Sequence, residues 1–131
     1  MNMQLLDTNI VSFFFKEDQL EALYFPLIVG RDAVVSFQTV AEMKEGSIAA
    51  GWSRAKQLRL EHFLDEYPVI HTDDNMCNWW GWVRAIRKAQ PISATDAWIA
   101  ATALSYDIEL VTHNPKDFRG IPGLRVLTAT T

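Results

Sequence analysis

Ser93-Ala94-Thr95-Asp96-Ala97-Trp98-Ile99-Ala100-Ala101-Thr102-Ala103 runs on through Tyr106 and then into Glu109-Leu110-Val111, a helical stretch rich in alanine that leads straight to a short strand. Pro91 ends whatever precedes it, and Ser93 is suited to cap a helix over Thr95–Tyr106, because its hydroxyl can accept an amide that the first turn leaves unpaired. Working outward, the same alternation recurs. Towards the C-terminus, Asn114-Pro115 opens a turn containing Asp117, and Leu124–Leu127 is a last strand. Towards the N-terminus, Asp73–Ala89 reads as a helix after the brief strand Val69-Ile70-His71, which Pro68 separates from an amphipathic helix over Ser53–Glu66 that carries Leu58 and Phe63. Gly51 breaks that helix from another over Thr39–Ala50, and Gly30-Arg31-Asp32 turns into the strand Ala33-Val34-Val35-Ser36. The apolar run Met3–Leu6 precedes a helical stretch in which Ile10, Phe13 and Phe14 recur, followed by a helix over Gln19–Val29. Strands alternating with helices, without a tight hairpin signal, predict an α/β fold: a central parallel sheet of about five short strands with helices on both faces.

The chain has 131 residues, enough to bury a core, and is expected to form one domain over 1–131. At 49% hydrophobic and 21% charged residues it has the composition of an ordinary globule, which excludes disordered and fibrous classes. Lys16, Glu17, Asp18 and Glu21 interrupt the apolar stretch Ile10–Val29, so neither an export signal nor a membrane span is predicted. Cys77 stands alone and cannot close an internal disulfide, which points to a reducing cytoplasm. The net charge of -4 argues against indiscriminate binding to polyanions. Four acids bear on that balance: taking Asp7, Glu42, Asp96 and Asp117 from the 16 Asp and Glu leaves 12, matching the 12 Lys and Arg.

Those four acids stand where apolar runs give way to helices or turns. In a parallel α/β domain such positions share the carboxyl edge of the sheet, where ligands bind near the reversal of strand order. Asp96 differs, since it starts the helix before a strand and reaches that edge only if Pro91–Ala94 brings the chain back across it. Each acid also has a plain reading as a helix cap: Thr39-x-x-Glu42 and Ser93-x-x-Asp96 resemble capping boxes, and Asn114-Pro115-x-Asp117 offers a cap and a first-turn proline. Four caps gathered at one edge, however, place like charges together at a cost that a cation removes. An all-oxygen donor set suits Mg²⁺ or Mn²⁺, and His62, His71 and His113 are too scattered for a zinc site.

With these residues the chain resembles a known family. Leu5-Leu6-Asp7-Thr8-Asn9, Thr39-Val40-Ala41-Glu42, Pro91 through Ala103, Val111-Thr112-His113-Asn114-Pro115-Lys116-Asp117-Phe118 and the closing Ile121-Pro122-Gly123-Leu124 are similar, in order and spacing, to the motifs of PIN-domain ribonucleases, and most of all to the VapC toxins of bacterial type II toxin-antitoxin modules. The resemblance implies a PIN-like fold and a Mg²⁺- or Mn²⁺-dependent endoribonuclease. Metal-activated water would hydrolyse RNA to 5'-phosphate and 3'-hydroxyl products, under the control of a cognate antitoxin. Carried over by position, Asp7 and Asp96 would be the principal metal ligands, Glu42 would complete the first site and Asp117 would belong to a second, while Thr8, Asn9, Thr112 and Asn114 would orient the carboxylates or their water. His113 stands where these toxins commonly have Arg, and Ala89-Gln90 where they have Gly, so a phosphate contact and a turn depart from the pattern.

Arg84, Arg87, Lys88 and Lys116 are the candidate RNA contacts, with Lys44 and Arg119 beside them. Trp79 and Trp82 are expected to pack inward, leaving Trp80 for an interface or packing ahead of the antitoxin or a base. The apolar first helices, with Phe13, Phe14, Phe15, Leu20, Leu23, Tyr24 and Phe25, hold more apolar surface than one core face needs, and in VapC-like toxins this region commonly receives the antitoxin. A homodimer is expected. The alternative to an enzyme is a catalytically inactive PIN-like interaction module. A phosphoacceptor receiver-like domain fits less well, because it wants an acidic pair where only Asp7 occurs, and a haloacid-dehalogenase phosphatase would want an acid at Asn9.

Overall fold

The computed structural model describes residues 2–129. Its sheet follows from a period of two in three short apolar runs. In β1 (Met3–Leu6), β2 (Asp32–Ser36) and β4 (Glu109–Val111), Leu5, Val34 and Leu110 point to one face, while Leu6, Val35 and Val111 point to the other. Both faces are apolar, so both must be covered. α5 (Asp74–Ile86) and α6 (Ala94–Tyr106) cover the first face with Met76, Val83, Ala97, Ile99 and Ala100. α1 (Thr8–Lys16), α2 (Glu21–Ile28), α3 (Phe37–Ala49) and α4 (Arg54–Asp65) cover the second with Ile10, Tyr24, Met43, Leu60 and Leu64.

With the two-residue β3 (Val69–Ile70) and β5 (Val126–Leu127), the sheet has five strands, all paired in parallel, in the order β3-β2-β1-β4-β5. Leu5 lies level with Val34 on one side and Leu110 on the other. Strand order reverses at β1, and the carboxyl end of β1, beside that of β4, is where Asp7 and Thr112 emerge. Among the described residues no helix is long and apolar enough to cross a membrane.

The expected elements are present, several with shifted ends. β3 stops before His71, and β5 is shorter than Leu124–Leu127. α5 ends at Ile86 instead of Ala89, because Arg87–Gln90 forms a turn that the Arg87 side chain ties by donating Nε–H to Gln90 O at 2.8 Å. That turn needs no glycine, since no residue within it has positive φ.

Two cap readings are corrected. α3 begins at Phe37, capped by the Ser36 hydroxyl, which accepts Gln38 N–H at 3.1 Å; Thr39 therefore lies inside the helix and caps nothing. Asn114 makes no side-chain cap bond to the single 3-10 turn Pro115–Phe118, whose Asp117 N–H bonds to the Asn114 carbonyl instead.

The tryptophan reading is corrected as well. On α5, Met76, Trp80 and Val83 follow helical spacing onto α6. Trp80 stacks on Trp98 at 5.2 Å and 27°, and its indole N–H reaches Ala94 O at 3.2 Å, so it is packing. Trp79 is half-buried, whereas Trp82 is 38% exposed.

Candidate active site

Asp7 is the N-cap of α1 and is buried. Its Oδ1 accepts Thr8 N–H at 2.8 Å, and its Oδ2 accepts the Thr112 hydroxyl at 2.6 Å and the Asn9 amide at 3.4 Å. The loop after β4 is thereby fixed to the end of β1: Asn114 N–H donates to Thr112 Oγ1 at 3.1 Å, and His113 N–H to Asn9 Oδ1 at 3.3 Å. Across the groove, the Thr8 hydroxyl donates to Glu42 Oε1 at 2.7 Å and lies 3.0 Å from the Thr39 hydroxyl. Thr8 has one hydroxyl proton, and Glu42 takes it, so Thr39 is the donor of that second bond. Thr39, fully buried in α3, thus holds Thr8, which holds Glu42.

Asp96 arrives by a route that strand order alone does not announce. A helix between two parallel strands runs antiparallel to them, so the N-terminus of α6 lies at the carboxyl edge of the sheet. The Ser93 hydroxyl caps it by accepting Asp96 N–H at 3.0 Å. Asp7, Glu42 and Asp96 line one groove together with Thr8, Asn9 and Asn114. Asp117 does not line it, yet its charge reaches both Asp7 and Asp96.

The electrostatics record the crowding. Burial pushes the Asp7 carboxyl above its ordinary range, against the lowering effect of the Thr112 and Thr8 hydrogen bonds, and Asp117 adds repulsion. Glu42 is raised, first by burial and then by Asp7, Asp96 and Glu45, while its bond from Thr8 lowers it. Asp96 is raised from the ordinary 3.8 to about 6 by burial and by repulsion from Asp7 and Asp117, which the Ser93 bond and the Arg87 charge offset only in part. Among the described residues the ion pairs are Arg31–Glu109 and Arg125–Asp107, and neither touches these acids.

Such a set of oxygen donors can hold a hard divalent cation. Among the described residues, no three His, Cys, Asp or Glu side chains are drawn close enough to cage an ion by themselves.

The proposed RNA contacts divide. Arg84 donates to Ile92 O at 2.9 Å and lies over the Trp80 ring, and Arg87 donates to Asp117 O at 3.1 Å and Arg119 O at 2.9 Å as well as to Gln90 O. Both guanidinium groups are engaged in holding loops, with Arg87 fixing the turn that carries Asp117. Lys88 and Lys116 are exposed. His113 turns away from the acids: its Nδ1 lies 2.6 Å from the Tyr24 hydroxyl, and its ring meets Phe13 and Tyr24 edge-on. Sequence reasoning did not find Thr39 or Ser36 in these roles. A serine ending a β-branched strand is a cap signal that marks Ser36; nothing local marks Thr39.

The comparisons with known proteins agree with this fold. The PIN domain family matches residues 5–124. Ribonuclease VapC1 of Haemophilus influenzae strain R2866 is 30% identical over 125 residues, covering 92% of this chain and 93% of the relative. DNA-bound VapBC from Salmonella typhimurium superposes with a TM-score of 0.78 at 30% identity over 98% of both chains. A toxin-antitoxin complex from Klebsiella pneumoniae does so at 0.73 and 29% identity over 95% of this chain and 96% of the other. The chain belongs to the PIN domain family, among the VapC ribonucleases.

Proposed function

We propose that the chain is a Mg²⁺- or Mn²⁺-dependent endoribonuclease, a cytoplasmic toxin that hydrolyses RNA phosphodiester bonds with water as nucleophile and is restrained by a cognate antitoxin. The observation that carries the reading is the mutual repulsion of Asp7, Glu42, Asp96 and Asp117, which no ion pair among the described residues relieves. A protein that needed only caps there would keep its acids apart.

Asp7 and Asp96 would be the principal metal ligands, Glu42 would complete the first site or hold its water, and Asp117 would belong to a second, weaker site. Bound there, the ion supplies Lewis-acid chemistry, acidifying a water and neutralising charge that grows on the phosphoryl oxygens. The chain's own groups set the geometry. Thr112 and the Thr8 amide orient the two oxygens of Asp7, Thr39 and Thr8 orient Glu42, and the Ser93 cap holds the backbone that carries Asp96. Arg87 steadies the turn that carries Asp117. No protein nucleophile is required, and the Thr8 and Thr112 hydroxyls are occupied as donors to carboxylates.

The VapC1 ribonuclease and the Klebsiella toxin-antitoxin complex support the substrate class and the partner. The test is purified chain, free of antitoxin, incubated with total RNA and Mg²⁺ or Mn²⁺ beside Asp7→Asn and Asp96→Asn. Metal-dependent cutting by the parent alone is expected. Equal cutting by all three rejects the site, and none by any favours an inactive interaction module.

A further inference from the structure

Tyr24 of α2 is wholly buried, yet its phenol ends among polar groups. The hydroxyl lies 2.6 Å from His113 Nδ1, 3.2 Å from Thr128 Oγ1 and 3.4 Å from the Thr112 carbonyl oxygen. Packing alone asks only for a ring there, and phenylalanine supplies one without a polar group to satisfy. None of the three partners belongs to α2. They come from the segments that follow β4 and β5, so the phenol oxygen ties a helix to two loops.

The short bond to His113 forms with either tautomer: a bare Nδ1 accepts the phenol proton, and a protonated Nδ1 donates to the phenol oxygen. Phe13 of α1 and Tyr24 also meet the imidazole edge-on, with ring centroids 5.4 Å and 5.5 Å away. The His113 backbone N–H donates to Asn9 Oδ1 at 3.3 Å. His113 is thus held against α1 and α2 by its backbone, its ring and its ring nitrogen.

Its two neighbours face the other way, towards the acids. The Thr112 hydroxyl donates to Asp7 Oδ2 at 2.6 Å and accepts Asn114 N–H at 3.1 Å, and Asn114 lines the groove. Of the effects that lower the Asp7 carboxyl against its burial, the Thr112 bond is the largest. A bond so short depends on where its donor stands. The residue that fixes the loop between Thr112 and Asn114 therefore bears on Asp7, although neither Tyr24 nor His113 is hydrogen-bonded to any of the four acids among the described residues.

We propose that Tyr24 and His113 are positioning residues of the metal site: the bond between them sets the loop after β4 so that Thr112 presents its hydroxyl to Asp7. The inference rests on the metal-dependent reading above. It gives a use to His113, a position at which the sequence departs from the VapC pattern.

The test is titration of Mn²⁺ into the antitoxin-free full chain, followed by the electron paramagnetic resonance of the unbound ion, well below the measured Tm of each variant. Tyr24→Phe keeps the ring and removes the hydroxyl, and it weakens Mn²⁺ binding about tenfold. His113→Leu does the same, whereas His113→Asn, which returns a polar atom near the place of Nδ1, recovers most of the affinity. The double variant Tyr24→Phe with His113→Leu binds no more weakly than either single one, because each removes the same bond. In cleavage of RNA at subsaturating Mn²⁺, kcat falls with the affinity while KM for RNA holds. Leu64→Ala, a packing loss in α4, lowers Tm and leaves Mn²⁺ affinity unchanged. Should Tyr24→Phe fail to fold, His113→Leu against His113→Asn decides alone. Parent affinity in the single variants, whatever their Tm, overturns the inference and leaves the metal site as read. Losses that multiply to about 100-fold in the double variant also overturn it, since the two groups then act independently. So does an equal loss in Leu64→Ala, which assigns the effect to general loosening. A parent that binds no Mn²⁺ overturns the reading of the site and this inference with it.

Discussion

Asp96→Asn should stabilise the metal-free protein while abolishing its response to metal. In the folded chain the Asp96 carboxyl is raised from 3.8 to about 6 by burial and by the charges of Asp7 and Asp117. At full strength that displacement is worth about 3 kcal/mol. Asp96 is only half-buried and water screens the repulsion, so about 1.5 kcal/mol is the better figure. Asparagine gives up the favourable interaction of a carboxylate with the N-terminus of α6, about 0.5 kcal/mol. The net gain is about 1 kcal/mol, or about 4 °C in Tm for a chain of this size. The sign follows from linkage. A carboxyl that binds its proton more tightly when folded contributes stability that is present below pH 3.8 and is lost as pH rises through about 6. The variant should therefore melt with the parent near pH 4 and above it at pH 7.5. Circular-dichroism melts in EDTA across that range are the assay. A variant that melts at or below the parent at pH 7.5, or a gain that does not change with pH, refutes the account of repelling acids.

Thr112→Val should cost about 2 kcal/mol of stability, because it strips a charged acceptor of its shortest bond, and should weaken Mn²⁺ binding by about 10- to 100-fold in a titration. Arg87→Gln removes bonds to the carbonyls of Gln90, Asp117 and Arg119 and should lower stability by about 2 kcal/mol in urea unfolding; a change in RNA affinity at unchanged stability would restore Arg87 as a substrate contact. Trp80→Ala should cost about 2–3 kcal/mol, and Trp82→Ala less than about 1 kcal/mol. The reverse order in chemical denaturation would overturn the assignment of the packed face.

The fold was legible because its strands are short, doubly apolar runs set apart by glycine, proline and caps, so period and punctuation agree at Met3–Leu6, Val34–Ser36 and Glu109–Val111. The position of Asp7 was legible for the same reason, as an acid directly after a strand, and that of Asp117 as an acid in the turn that Asn114-Pro115 opens after β4. Asp96 needed one further step of geometry: a crossover helix returns its N-terminus to the edge from which the strands leave. Other features were hidden because they depend on contacts across the fold. Thr39 matters through Thr8, 31 residues away. Arg84 and Arg87 looked like free surface charge because a sequence does not display which carbonyls a folded loop leaves unpaired. Trp80 and Trp82 were exchanged because helical spacing groups residues without saying which group faces inward; Met76 and Val83, both buried, decide it.

The central claim is that folding gathers Asp7, Glu42, Asp96 and Asp117 to hold a divalent cation. Titration of Mn²⁺ into the antitoxin-free chain at neutral pH, followed by the electron paramagnetic resonance of the unbound ion, tests it without reference to RNA. Saturable binding by the parent, much weakened in Asp7→Asn and Asp96→Asn proteins that still fold, is the expected result. Equal binding by all three, or none by the parent, would contradict it.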